Sequence, residues 1–153
     1  MIKGEGWATQ KYDGTACMMR GGNLFKRFDA KKGKTPPAGF EPCQEPDSVT
    51  GHWPGWVPMA KTDYIMHEVY NPDLPDGTYE LIGPKVGTRD GVNCERVGFH
   101  MLMKHGDVVL SDVPRDYDGL RKYLETHDIE GIVFYHPDGR MVKIKKRDFG
   151  VKR

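Results

Sequence analysis

Two groups of residues in this 153-residue chain could do covalent chemistry. The first is Lys11-Tyr12-Asp13-Gly14-Thr15. A lysine amine attacks an electrophile only after losing its proton, which desolvation or neighbouring cations promote. Lys11 closes a strand-like run at a tight Asp-Gly turn, with aromatic Trp7 and Tyr12 close in sequence. The string K-x-D-G arises by chance in about one chain of this size in 25–30, so it needs companions. The second group is Glu130, Lys143 and Lys145, which flank Pro137-Asp138-Gly139. A two-residue hairpin loop is the expectation there, either Pro137-Asp138 or Asp138-Gly139. Both choices put Glu130, Lys143 and Lys145 on one face, with Val133, Tyr135, Val142 and Ile144 on the core-facing side. On a solvated surface such a cluster is a salt bridge worth ~0–1 kcal/mol. Beside a nucleophilic lysine it becomes a place where anionic oxygens are held, and its ammonium groups favour the neutral amine.

The elements that must position these groups read as mostly short strands. Trp7–Lys11 and Thr15–Arg20 flank the lysine turn, and Gly21-Gly22-Asn23 turns the chain into Asn23–Phe28. Alternation and turn chemistry make these a hairpin. Residues 33–58 hold six of the eleven prolines together with Trp53 and Trp56, and read as a long irregular insertion packed by its aromatics. Tyr64–Tyr70 is a short element of open type, and Thr78–Gly83 a strand. Pro84–Asn93 is loop-like, broken by Pro84, Gly87 and Gly91. Val97–Met103 and Asp107–Leu110 read as further strands. Asp116 or Asp118 can cap a helix carrying Tyr117, Leu120, Leu124 and His127 at helical spacing. Glu130–Tyr135 and Arg140–Lys146 complete the last hairpin. The class is α+β, dominated by antiparallel sheet.

Composition sets the outer bounds. Surface scaling for a chain of this mass gives roughly 7,900 Å² folded against about 25,000 Å² unfolded, enough for one core. A single domain spanning 1–153 is the expectation. Apolar runs are too short for a membrane span of ~18 residues, and charges interrupt Met1–Lys11, so neither a signal peptide nor a membrane partner is expected. Three cysteines without C-x-x-C spacing argue against a disulfide framework or a structural zinc site, and a reducing cytoplasm is the default compartment. The six histidines show no ligand spacing. The net charge of +1 conceals a layout. Residues 20–34 hold six basic groups against one aspartate, and residues 140–153 hold seven against one, while 35–139 hold eight against eighteen acidic groups. Two basic segments offset by an acidic remainder describe a layout, and a basic tail by itself is equally a solvated end.

The lysine turn resembles motif I of the covalent nucleotidyltransferases, the superfamily of nucleic-acid ligases and mRNA capping enzymes. Further motifs resemble that superfamily's in the same order along residues 9–149. Tyr79-Glu80-Leu81-Ile82-Gly83 is similar to the acidic motif III, although the glycine usual before the glutamate is Tyr79 here. Phe99 lies where an aromatic stacks on the base. Glu130-Gly131-Ile132-Val133-Phe134 resembles motif IV, and Val142-Lys143-Ile144-Lys145 the K-x-K of motif V. The resemblance implies an ATP-grasp-like catalytic domain with ATP and Mg²⁺ (or Mn²⁺) as cofactors. It implies that Lys11 attacks the α-phosphorus and carries AMP, with Lys143 and Lys145 on the phosphates. Glu80 and Glu130 would face the metal, and Glu80 could instead contact the ribose. Gln10, Asp13, Gly14 and Phe99 would line the nucleotide, with Arg20 or Arg27 on ribose or phosphate.

The chain ends eight residues after Lys145, so no OB-fold appendage is expected. That pattern, with Thr15 after the motif I glycine, is similar to minimal stand-alone 5′-to-3′ RNA ligases. RNA 5′-phosphate and 3′-hydroxyl ends are then the expected partners, with the oligomeric state open. Two other functions remain in view: a nick-sealing DNA ligase without an OB domain, and a nucleotide- or RNA-end-binding module without turnover.

Overall fold

The computed structural model describes residues 6–86, 88–89, 92–93 and 97–151; Gly87, Gly91 and Cys94 lie outside them. In chain order the elements are β1 (Trp7–Lys11), β2 (Thr15–Arg20), β3 (Asn23–Asp29), β4 (Glu41–Pro42), β5 (Pro54–Pro58), α1 (Tyr64–Val69) and β6 (Gly77–Ile82). There follow β7 (Thr88–Arg89), β8 (Val92–Asn93), β9 (Met101–Lys104), β10 (Val109–Leu110), α2 (Tyr117–Thr126), β11 (Gly131–Tyr135), β12 (Met141–Lys145) and a 3₁₀ turn, Lys146–Phe149. The chain divides into two units made of interleaved segments. One comprises Met1–Gly14, Ile82–Phe99 and His105–Arg153, the other Thr15–Leu81 and His100–Lys104. The expectation of one core over 1–153 thus meets two sets of internal packing.

The unit that begins at Thr15 is a sheet in the order β4-β5-β3-β2-β6-β9. Gly21 and Gly22 both take positive φ, 57° and 80°, as a two-residue type I′ turn demands. That turn places Arg20 opposite Asn23 and fixes Cys17 opposite Lys26 and Met18 opposite Phe25. Alternation then buries Cys17, Met19, Leu24, Tyr79 and Leu81 on one face. Burial also pushes the Cys17 thiol up to about 12. The element at Tyr64–Tyr70 is the helix α1, capped by Asp63, whose Oδ1 accepts from Met66 N at 3.2 Å.

The reading of 33–58 as wholly irregular is corrected. Its last five residues are β5, paired with the Phe25–Asp29 stretch of β3 from Phe25↔Pro58 to Asp29↔Pro54, with β4 beyond it. Pro54 and Pro58 fit because β4 pairs only with Gly55 and Trp56, so the missing N–H of neither proline is one that the β4 ladder uses. Asp29 fastens the rest, accepting from Trp53 N at 2.7 Å and Lys31 N at 3.2 Å. Those donors and His52 hold its carboxyl well below the usual carboxylate range.

The other unit contains a sheet in the order β10-β1-β11-β12. One face packs on α2 through Ala8, Ile132, Phe134 and Ile144 from the sheet and Leu120 and Leu124 from the helix. The helix is as the spacing predicts, with Asp116 as N-cap accepting from Gly119 N at 2.9 Å. Of its four periodic residues only Leu120 and Leu124 are buried; Tyr117 is exposed and His127 is the C-cap. The flanking strands are shorter than the apolar pattern implies, β9 starting at Met101 and β10 at Val109.

The last hairpin corrects the sequence reading. Gly131 faces Lys145 and Val133 faces Lys143, because the loop has three residues, not two. His136 N–H donates to Arg140 O at 2.8 Å, and Gly139 takes φ 94°, the left-handed residue that ends a three-residue hairpin loop. This one-residue change moves Val133 and Tyr135 onto the side of Lys143 and Lys145, puts Ile132 and Phe134 on the core, and takes Glu130, which alternates with Ile132, off the face it was expected to share with the two lysines.

Candidate active site

Lys11 is the last residue of β1, a strand held by β10 at Ala8 and Thr9 and by β11 along its whole length, with Lys11 itself paired to Gly131. Thr9, two residues earlier, is buried and donates through Oγ1 to Val133 O at 3.3 Å. The chain then turns through buried Tyr12 to Asp13 and Gly14. Across the sheet, Lys11 pairs with Gly131 and Gly131 with Lys145. The three make one row whose middle member has no side chain. At the usual strand spacing the Lys11 and Lys145 backbones are about 10 Å apart. Lys143 lies in the next row, beside Val133 and Thr9.

Glu130 immediately precedes β11, and its Oε2 lies 2.6 Å from Lys11 Nζ. Both side chains are largely shielded, at 21% and 16% exposed. Lys146 N–H donates to Glu130 O at 3.0 Å, which fastens the start of β11 to the end of β12. Asp148 Oδ2 accepts from Lys145 N at 2.8 Å and holds that strand end. Asp148 was missed by sequence reasoning, though a carboxylate three residues after a helix-entry position is the capping-box spacing.

Gly131 has a steric reason to be glycine. A Cβ there would lie 2.2 Å from Ile144 O and 3.0 Å from Lys145 Cα. Gly131→Ala must push β11 off β12, at the row that joins Lys11 to Lys145. An overpacking cost of about 1–3 kcal/mol is expected, read as a lowered melting temperature. An unchanged melting temperature would show that the strands relax freely.

Gln10 is not brought to this face: it pairs with Ile132, so alternation turns it to the side opposite Lys11. Asp13 and Gly14 stay in the lysine turn, and Phe99 is 63% exposed at a bend. The remaining candidates belong to the other unit. Ala16 faces Glu80, Met18 faces Phe25 and Arg27 faces Trp56. Period two therefore sets Arg20, Arg27 and Glu80 on one face of that sheet, opposite its buried side. The two arginines are distinguishable here. Arg20 Nη1 and Nη2 donate to Glu41 Oε2 and Oε1, each at 2.8 Å, with the guanidinium 4.7 Å from the Phe25 ring centre. Glu41 raises the Arg20 guanidinium pKa further, and Arg20 lowers that of Glu41. Arg27 stacks on Trp56 at 5.3 Å. Trp53 packs edge-on against Phe40 at 5.1 Å.

Among the described residues no group of three or more His, Cys, Asp or Glu side chains could hold a metal ion. Mg²⁺ commonly takes one or two carboxylates and fills its shell with substrate phosphate oxygens and water. Glu130, at the Lys11 row, fits such a shared site and not an all-protein cage.

A family model described as RNA ligase 1 matches residues 64–153. RNA ligase 1 of Pongo abelii is 26% identical over 135 residues, covering 66% of this chain and 42% of its own length. RNA ligase 1 of Danio rerio is 27% identical over 136 residues, with 67% and 42% covered. RNA ligase 1 of Rattus norvegicus is 27% identical over 135 residues, with 66% and 42% covered. The chain thus spans about 42% of the length of these relatives.

Proposed function

The chain belongs to the RNA ligase 1 family, and we propose that it is an ATP-dependent RNA ligase that works through a lysyl-AMP on Lys11. The observation that carries this reading is the 2.6 Å contact between Lys11 Nζ and Glu130 Oε2. Lys11 lies outside the stretch matched by the family model, whereas Glu130, Lys143 and Lys145 lie inside it. The Lys11–Glu130 contact, and a register that puts Lys143 and Lys145 on the face of Lys11, support the reading. A fold of the covalent nucleotidyltransferase type, ATP-grasp-like, is part of the same proposal.

The chemistry follows from the row. An ammonium held on a carboxylate is not a nucleophile, so the Lys11 proton must leave, to Glu130 or to water. The freed lone pair then attacks the α-phosphorus of ATP. An N–P bond forms, the bond from the α-phosphorus to the bridging oxygen breaks, and pyrophosphate departs with the electron pair. Lys145 and Lys143 offer ammonium groups to the phosphate oxygens on which charge develops. In the second step an oxygen of an RNA 5′-phosphate attacks the same phosphorus, the N–P bond breaks, and the amine returns. In the third, a 3′-hydroxyl attacks the RNA phosphorus and expels AMP. A divalent cation held by Glu130 would supply neutralisation of phosphate charge. Phe99, Asp13 and Gly14 are proposed near the nucleotide.

Incubation with α-labelled ATP and Mg²⁺ tests this directly. Label of one AMP mass should survive denaturation and be released by acid, as a phosphoramidate is. Absence of label from the wild-type protein would overturn the reading. Supplying 5′-phosphorylated RNA and DNA ends next identifies the acceptor: RNA supports the proposal, and DNA alone would make the chain a nick-sealing DNA ligase.

A further inference from the structure

The Lys11 face of the sheet carries more than lysines. Four residues before Lys11, Trp7 occupies the same face, opposite Tyr135, which is opposite Met141. Trp7 and Tyr135 stack with ring centres 5.8 Å apart and planes 16° from parallel. The row is open to solvent, Trp7 being 44% and Met141 52% exposed. An indole exposed to this extent at the start of β1 adds nothing to the core, which lies on the other face with Ala8, Ile132 and Phe134.

The pair is rigidly mounted. A Cβ on Gly6 would lie 1.9 Å from Tyr135 O, so only glycine lets the chain enter β1 at this point. Gly6 O also accepts from Arg115 Nη2 at 3.1 Å. Lys11 is four residues along β1 from Trp7, about 13 Å, and Lys143 stands in the row between. One sheet face therefore carries, in sequence, a flat aromatic platform, a lysine, and the Lys11–Lys145 row.

An aromatic pair followed by basic groups matches an unpaired nucleic-acid strand, which offers π-faces and phosphates. We infer that the Trp7–Tyr135 pair is a stacking platform for a nucleobase of the substrate RNA, with Lys143 on the phosphate between platform and reaction centre. This inference rests on the ligase reading for its substrate. The lysines on the same face favour a polyanion over an uncharged protein surface as the occupant. Tyr135 ends β11, the strand that Glu130 immediately precedes, so an RNA base seated there would fix the end of the RNA strand relative to Lys11.

Binding of a 5′-phosphorylated, fluorescein-labelled oligoadenylate of about 12 nucleotides, followed by anisotropy, tests the platform. Trp7→Ala should weaken binding roughly 5- to 150-fold, the loss expected for one stacked base, and Trp7→Phe should recover most of it. Lysine adenylation from ATP without RNA should be the same in Trp7→Ala as in wild type. RNA affinity unchanged in Trp7→Ala would overturn the platform, as would a Trp7→Phe variant no better than Trp7→Ala. Loss of lysine adenylation in a Trp7→Ala protein that melts like wild type would assign the pair to ATP and not to RNA. The two proposals separate cleanly. If the wild type forms no lysyl-AMP but Trp7→Ala still weakens RNA binding, the ligase reading fails and the platform stands. If lysyl-AMP forms and RNA binding ignores Trp7, the reverse holds.

Discussion

Lys11→Arg is expected to reduce labelled adduct to background while leaving the protein folded. Arginine keeps a positive charge in place and can pair with Glu130 as Lys11 does at 2.6 Å. Its guanidinium stays protonated throughout the accessible pH range, so it has no lone pair to offer phosphorus. The variant thus removes nucleophilicity and little else, and its stability should change by about 1 kcal/mol or less. Lys11→Ala loses the adduct too, but it also leaves a shielded carboxylate without its cation, which confuses chemistry with stability. A second readout isolates the covalent step. RNA already carrying a 5′-adenylate needs no lysyl-AMP, since a 3′-hydroxyl attacks the RNA phosphorus directly. Lys11→Arg should therefore still join pre-adenylated RNA at a measurable rate. Adduct formation by Lys11→Arg would place the nucleophile elsewhere. Failure on both substrates, in a folded protein, would show that the cation geometry at position 11 matters beyond nucleophilic attack.

How much of this was legible in the sequence depended on whether local or long-range geometry decided it. The Gly21-Gly22 turn and α2 were readable, because two positive-φ glycines and an Asp-capped 3.6-residue period are local signals. The last hairpin was half readable. Lys143 and Lys145 share a face whatever the register, since they are two residues apart. Which apolar residues join them depends on one residue of loop length, and Pro137-Asp138-Gly139 fits two- and three-residue loops alike. The union of Lys11 with Glu130, 119 positions apart, could be read only through resemblance. Composition and periodicity carry no information on the pairing of β1 with β11. The 33–58 segment failed for another reason. Its prolines argue against a central strand, yet β5 tolerates them, with only two-residue β4 on its outer side. Gln10 shows the limit of motif reading, since adjacency to Lys11 in sequence places it on the opposite face of a strand.

Lys145→Ala should slow lysine adenylation more than Lys143→Ala, and the register gives the reason. Lys145 stands in the same row as Lys11, with only Gly131 between them. Lys143 is one row further along the face, about 6.6 Å away by strand rise. A phosphate attacked by Lys11 Nζ lies over that row, so the ammonium of Lys145 is nearest the oxygens that gain charge. Deleting one such preorganised donor typically costs 10²–10³ in rate, about 3–4 kcal/mol, and that is the loss expected for Lys145→Ala. A smaller loss is expected for Lys143→Ala in the ATP step, with a larger one once RNA must be bound. Single-turnover rates of adduct formation at saturating ATP give the order, and sealing assays on RNA give the second comparison. Asp148 supplies a control on the cause. It holds the Lys145 backbone from 2.8 Å without facing the phosphate, so Asp148→Asn should lower the rate only modestly and Lys145→Arg should restore part of it. Equal losses for Lys143→Ala and Lys145→Ala would mean that the two lysines act through the net charge of the face, with no distinct place for either at the α-phosphate.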